Sequence, residues 1–408
     1  MNYIDLFAGA GGLSEGFLQA GYTPVAHIEM NSDAAQTLKT RVCYHYLKQN
    51  NNLAPYRRYE RGEITREQLY ALIPNELINS VINEAISDES INGIFETVDG
   101  LLGDEEVDVV IGGPPCQAYS LVGRAKGTGG DDDHRNYLYR LYCRFLKRYH
   151  PKMFVFENVP GLLSANEGVY FNNIKHTLRA AGYRIEVKEL NAKDFGVLQS
   201  RRRLIIIGWR SDLDCFYPDF AQVEHNFTVN DILRDLPSIQ AGEENNRYKP
   251  GRINPYLTQY GIRQLGDVLT FHIARTHIER DRTIYRTAID LWNNGHRRLK
   301  YTDLPAELIT HRNTTSFLDR FKVVEGDMSA CHTMLAHISK DGHYFIHPDI
   351  NQARSLTVRE AARIQSFPDN YYFEGSRTAA FTQIGNAVPP VMAKAIAEAL
   401  AVQIDQLD

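Results

Sequence analysis

An α/β fold with a mostly parallel, doubly wound sheet and a smaller loop-rich region is predicted from three features of the 408-residue chain. Short apolar strands alternate with helical stretches over the first half. That rhythm stops near residue 211, giving way to a stretch rich in Asn, Pro, Gly, His, Arg and Tyr with few helical patches. Helical periodicity then returns from Arg354 to the end. The expected division is therefore 1–210 as the first part of the large domain, 211–353 as a small domain, and 354–408 as a segment returning to the large one.

The elements follow in order. "YIDLFA" reads as a strand, and "LSEGFLQAG" as a helix closing at Gly21. "TPVAHIEM" is the next strand, and "DAAQTLKTRV" the next helix, with Asn31, Ser32 or Asp33 to cap it. Residues 51–106 are polar and helix-prone, an insertion before the strand "VDVVI". The helix "NYLYRLYCRFLKRY" leads to the strand "MFVFENV", and the helix around "FNNIKHTLRAAG" to "RIEVKELN" and "RRRLIIIGW". Strands joined by helices lie parallel, whereas the last two are close enough in sequence to form an antiparallel pair at one edge.

Composition narrows the class. Hydrophobic content of 43% and charged content of 23% are those of an ordinary globular protein. No run of about 18 apolar residues is present to span a membrane. The start "MNYIDLFAGAGG" lacks the basic and long apolar parts of a signal peptide. The five cysteines are scattered singly, which argues for a reducing compartment and against disulfides or a zinc site. Net charge is −5, yet residues 247–322 carry fourteen Lys/Arg against seven Asp/Glu. A basic segment on an acidic body fits a polyanion-binding module, and fits a solvated basic loop equally well.

Candidate chemistry collects at strand ends. "DLFAGAGG" places Gly9, Gly11 and Gly12 between a strand and a helix, where backbone N–H groups can approach a ligand. Glu29 ends the next strand, where an acid binds ribose hydroxyls in such folds. This half-motif suits a nicotinamide cofactor or S-adenosylmethionine alike, and also suits a plain packing turn. "IGGPPCQAYS" ends an apolar run in a rigid turn holding a lone thiol, Cys116. "FENVPG" sets Glu157 at the end of a neighbouring strand, over the same crevice. "QSRRRLIIIG" adds Arg201 and Arg203 on one face with Arg202 opposite, or simply a basic strand edge.

Together with "RSLTVREAARIQSFPDNYYF" and "QIGNAVPP", these segments resemble the cytosine-5 DNA methyltransferase family, bacterial restriction-modification type, from end to end. Six motifs stand in the family's order. The resemblance implies a Rossmann-like methyltransferase fold, S-adenosyl-L-methionine as methyl donor (S-adenosyl-L-homocysteine as product), no metal, and double-stranded DNA as substrate. It implies that Cys116 attacks the pyrimidine, with Glu157, Arg201 and Arg203 completing the catalytic set. On the cofactor it places Phe7, Gly9, Gly11, Gly12, Glu29, Pro115, Leu138, Asn386 and Val388. A valine at Gly11 is expected to block the cofactor with the fold intact. The acidic adenine contact has Asn92 and Ile94 as nearest candidates. Ser120, Arg124 and Thr333 are implied on the DNA side, the loop with Arg124 and Lys126 as a lid, and 211–353 as the target-recognition domain. A cytoplasmic enzyme, monomeric on DNA, is implied; a cognate restriction enzyme, an orphan role and phage defence all fit. A tRNA methyltransferase of the same fold is disfavoured because the chain lacks that group's Cys-Phe-Thr tripeptide.

Overall fold

The computed structural model describes residues 1–114 and 137–407. Pro115, Cys116, Ser120, Arg124 and Lys126 lie outside the described residues. Among the described residues, seven strands form one sheet: β1 (Asn2–Leu6), β2 (Thr23–Ile28), β3 (Val81–Ile82), β4 (Val109–Gly112), β5 (Met153–Asn158), β6 (Tyr183–Asn191) and β7 (Arg202–Arg210), in the order β3-β2-β1-β4-β5-β7-β6. The first five pair in parallel, and β7 joins β5 and β6 antiparallel. The strand–helix alternation therefore gives the expected mixed α/β sheet, with the late pair at one edge.

Strand periodicity of two decides which helix layer each residue meets. Ile4, Leu6, Val110, Phe154, Phe156 and Ile206 share a core with the helices Ile91–Leu102, Leu138–Tyr149 and Val169–Ala180. Their neighbours Tyr3, Val109, Ile111, Val155, Ile205 and Ile207 point the other way, into a core with Gly12–Gln19 and Pro390–Ile404. Both faces are thus covered, as a parallel sheet requires. The last helix lies against the first: the Tyr22 hydroxyl donates to Ala397 O at 3.0 Å. The apolar stretch 377–404, long enough to cross a bilayer, is instead mostly buried in this packing, and its helix is interrupted before Pro390.

The expected insertion at 51–106 is only partly one. Short helices span Ala54–Glu60, Arg66–Tyr70 and Asn75–Asn79. Residues 81–102, however, are a strand–helix unit of the sheet itself, with β3 on β2 and Ile91, Ile94 and Phe95 buried beneath. A two-residue strand is too short to show periodicity.

Residues 211–353 contain, among their longer elements, the helices Pro255–Gln259 and Glu279–Asn293. Ile284, Tyr285, Ile289 and Trp292 close a local core with Tyr301, Phe321 and Ile346. A second core ties Val229, Tyr256, Val324 and Met334 to Leu356, Phe367 and Ile384 of the returning segment. That segment buries its charges as well. Arg354 donates twice to Glu360 at 2.8 and 2.7 Å, and Arg363 meets both Asp369 and Asp235.

Candidate active site at the strand ends

A cleft of about 1370 Å³ opens over the carboxyl ends of β1, β2, β4 and β5. This is where open α/β sheets bind ligands, because helix starts and strand-end loops converge there. Its opposite wall comes from residues 280–345.

The loop after β1 is coiled by left-handed backbone at Phe7 (φ 56°), Gly9 (55°) and Gly11 (77°). Phe7, Gly9 and Gly12 line the cleft. A Cβ on Gly9 would meet nothing within 4 Å, so this glycine faces open space in which a ligand can rest against the backbone. Gly11 does not line the cleft. A Cβ there would lie 2.6 Å from Leu38 Cδ2 and 2.9 Å from the Tyr371 hydroxyl. The expected effect of valine at Gly11 is therefore corrected: it would disrupt packing and force an unfavourable backbone angle rather than obstruct the cofactor alone.

Glu29 braces this loop. One carboxylate oxygen accepts the Gly9 N–H and the other the Asn31 N–H, each at 2.7 Å. Burial nonetheless raises its pKa. Met30, next to it, is largely exposed on the cleft wall. Asp5 lies beneath, also raised by burial, with Oδ2 3.6 Å from His27 Nδ1. Leu138, Asn386 and Val388 line the same space. Asn92 and Ile94 do not; Glu84, Ala85 and Ile86, just past β3, do. The sequence reading missed this trio because β3, two residues long, leaves no periodic signal to mark a strand end before it.

Glu157 projects from β5 at the centre. Its Oε1 lies 2.7 Å from Arg203 Nε, an ion pair whose N–H is not aligned as a hydrogen bond, and Arg203 Nη1 also donates to Arg202 O at 2.8 Å. Gly113 makes room for this carboxylate, since a Cβ there would sit 2.5 Å from Glu157 Oε2. Asn158 is buried and donates from Nδ2 to Pro114 O at 3.3 Å, anchoring the last described residue before Cys116.

Arg201 and Arg203 separate. Arg203 lines the cleft; Arg201 is fully buried and donates to Met334 O (2.7 Å) and Gly385 O (2.9 Å). Burial, reinforced by Arg203, depresses its pKa well below the usual guanidinium value. Arg202 points outward to Glu189 at 3.3 Å. Thr333 stands beside this junction, its hydroxyl donating to Ser200 O at 2.6 Å, and does not line the cleft. Arg201 thus joins the start of β7 to the 331–335 segment and to the stretch carrying Asn386. Among the described residues, no group of three His, Cys, Asp or Glu is placed to hold a metal ion.

This geometry offers an apolar slot beside a backbone cradle, and next to it a carboxylate–guanidinium pair aimed into a cleft. The C-5 cytosine-specific DNA methylase family model matches residues 1–56 and 68–401. The type II methyltransferase M.Bpa9945I of Bacillus paralicheniformis is 42% identical, over 98% of each chain. M.DdeI of Desulfomicrobium norvegicum is 33% identical, over 98% of this chain and 88% of its own. Among solved structures, a DNA modification methyltransferase encoded in an E. coli prophage superposes with a TM-score of 0.66 at 24% identity, covering 99% of each chain. S. pombe Dnmt2 does so with 0.52 at 13%, over 100% and 99%. The last two likenesses concern the fold.

Proposed function

Because the chain belongs to the C-5 cytosine-specific DNA methylase family, we propose that it methylates carbon 5 of a cytosine flipped out of duplex DNA at a specific sequence, as the type II methyltransferase of a restriction-modification or phage-defence system. The observation that carries this reading is the Glu157–Arg203 pair beside the Gly9 cradle in one cleft.

S-adenosylmethionine fits the first half of that cleft. The open space against the backbone at Gly9 and the exposed Met30 suit a ligand that is polar at one end and flat and apolar at the other. Phe7, Gly9 and Gly12 would hold its methionine end, Glu29 the ribose hydroxyls, and Met30, Ile86 and Leu138 the adenine, with Glu84 near the adenine amine. Asn386 and Val388 would line the rest of the pocket, and Pro115 is assigned to the methyl donor. When bound, it supplies an electrophilic methyl group to an activated carbon and leaves as S-adenosylhomocysteine.

The chain's own residues do the activating. Cytosine carbon 5 is a weak nucleophile, and addition of the Cys116 thiolate at carbon 6 makes it enamine-like. Glu157 hydrogen-bonds ring nitrogen 3 and the exocyclic amine, favouring the adduct over free cytosine. Arg203 orients Glu157 and the pyrimidine oxygen. Arg201 acts as a positioning residue, holding together the segments that shape the cleft. After methylation, the carbon-5 proton passes to water and its electron pair re-forms the carbon 5–carbon 6 double bond, breaking the carbon 6–sulfur bond and releasing the Cys116 thiolate. Residues 1–210 and 354–408 form the catalytic body. The region 211–353 reads the DNA sequence with its basic residues, ending near Thr333, while Ser120, Arg124 and Lys126 belong to a lid that closes on DNA. The enzyme acts as a monomer in the cytoplasm, without a metal.

Labelled S-adenosylmethionine with duplex DNA or tRNA tests the substrate, and duplex-specific labelling at cytosine carbon 5 is expected. Cys116→Ser should abolish transfer while the cofactor and DNA still bind. Turnover of that variant within about tenfold of wild type would overturn the covalent route.

A further inference from the structure

Phe317 lines the cleft on the 280–345 wall, is 69% exposed, and has a φ of 54°. Bulky side chains are disfavoured in that left-handed region, and an exposed phenyl ring gains nothing from burial. Neither feature is left to chance. The Tyr301 hydroxyl accepts the N–H groups of Thr310 and His311, both at 2.8 Å. Asn313 Oδ1 accepts from the Thr315 and Ser316 N–H groups at 3.1 and 3.0 Å. Arg320 stacks over the Tyr301 ring at 4.1 Å, donating from Nε to Phe317 O at 3.0 Å and from Nη2 to Asn313 O at 2.7 Å. The backbone is fixed on both sides while the ring itself stands in solvent.

A held aromatic on a basic segment is suited to stacking with bases. Apolar side chains entering a duplex part the base steps, and stacking on an aromatic ring tolerates any base. Bracing the backbone beforehand lowers the ordering cost of insertion. We propose that Phe317 is a wedge that enters the DNA stack and fills the gap left by the extruded cytosine. This rests on the base-flipping reading above.

The test compares wild type, Phe317→Ala and Phe317→Trp on duplexes carrying the target site, identified by bisulfite sequencing of DNA from expressing cells. One duplex is fully paired, and the other mispairs the target cytosine so that extrusion is easier. Phe317→Ala should lose roughly tenfold or more in methylation of the paired duplex and recover to within about threefold of wild type on the mispaired one. Phe317→Trp should retain most activity on both. Binding of S-adenosylhomocysteine, measured by calorimetry, should be unchanged in each variant. Fluorescence of 2-aminopurine at the target position should rise with wild type and much less with Phe317→Ala. Equal defects on both duplexes, or a defect confined to one flanking base pair, would mean a binding or base-reading contact and overturn the wedge. Full activity of Phe317→Ala with a normal wild type overturns the wedge alone. A wild type that leaves duplex cytosine unmethylated overturns the functional reading as well.

Discussion

On the strand-end wall of the cleft, Glu29 and Asn158 have their polar atoms engaged by neighbours in the fold, and Glu157 pairs one oxygen with Arg203. On the opposite wall, His311 and Phe317 are exposed beside Arg312 and Thr314, on a loop whose backbone is fixed. The difference suits the two tasks proposed for the walls, chemistry and DNA recognition. Chemistry needs groups held in place before substrate arrives, because reorganising them during reaction raises the barrier. Recognition needs side chains still able to exchange water for phosphates and base edges. One cleft therefore has a committed wall and an adaptable one.

Substitutions on the two walls should fail in different ways. Glu157→Gln removes the committed carboxylate and should lower kcat about 10²–10⁴-fold, with DNA affinity little changed, in steady-state methyl transfer. A variant whose KM rises while kcat holds would place Glu157 in binding instead. Gly113→Ala keeps every proposed catalytic group but pushes a Cβ towards Glu157 Oε2. Its kcat should fall on the order of 10²-fold with S-adenosylhomocysteine affinity intact, and a normal kcat would show that the position of Glu157 is not critical.

Arg201→Met tests commitment away from the cleft. It leaves the buried carbonyls of Met334 and Gly385 unpaired, which should destabilise the protein by about 1–3 kcal/mol in denaturant unfolding. Unchanged stability would mean that these carbonyls find other donors. Arg312→Ala on the adaptable wall should have the smallest effect: weaker binding to all DNA alike, with the salt dependence of log affinity shallower by about one. Relaxed sequence choice at one position would instead make Arg312 a base reader.

Much of this was legible beforehand because strand-end motifs are local. The glycines after β1, Glu157 after an apolar run, and the arginine pair at the start of β7 each announce themselves within ten residues. Their roles were less legible. Arg201 and Arg203 look equivalent two residues apart, yet one enters the cleft and the other is buried under Met334 and Gly385. Distant segments made that choice. Likewise, "TVREAARIQSF" shows only helical periodicity and does not say where its charges go. Arg359 and Arg363 are buried, with Asp369 beside both of them and Asp235 beside Arg363. Buried ion pairs of this kind depend on geometry that periodicity does not encode.

By itself, the sequence determined the alternation of strands and helices, the motif order and the basic segment at 247–322. These depend on period, turn chemistry and charge, all readable over a few residues. Only the tertiary structure decided that β3 belongs to the sheet, that Glu84 reaches the cleft where Asn92 does not, and which arginine faces it. Each of those outcomes is a contact between residues far apart in the chain, and its energy depends on what the folded neighbours leave exposed, paired or buried.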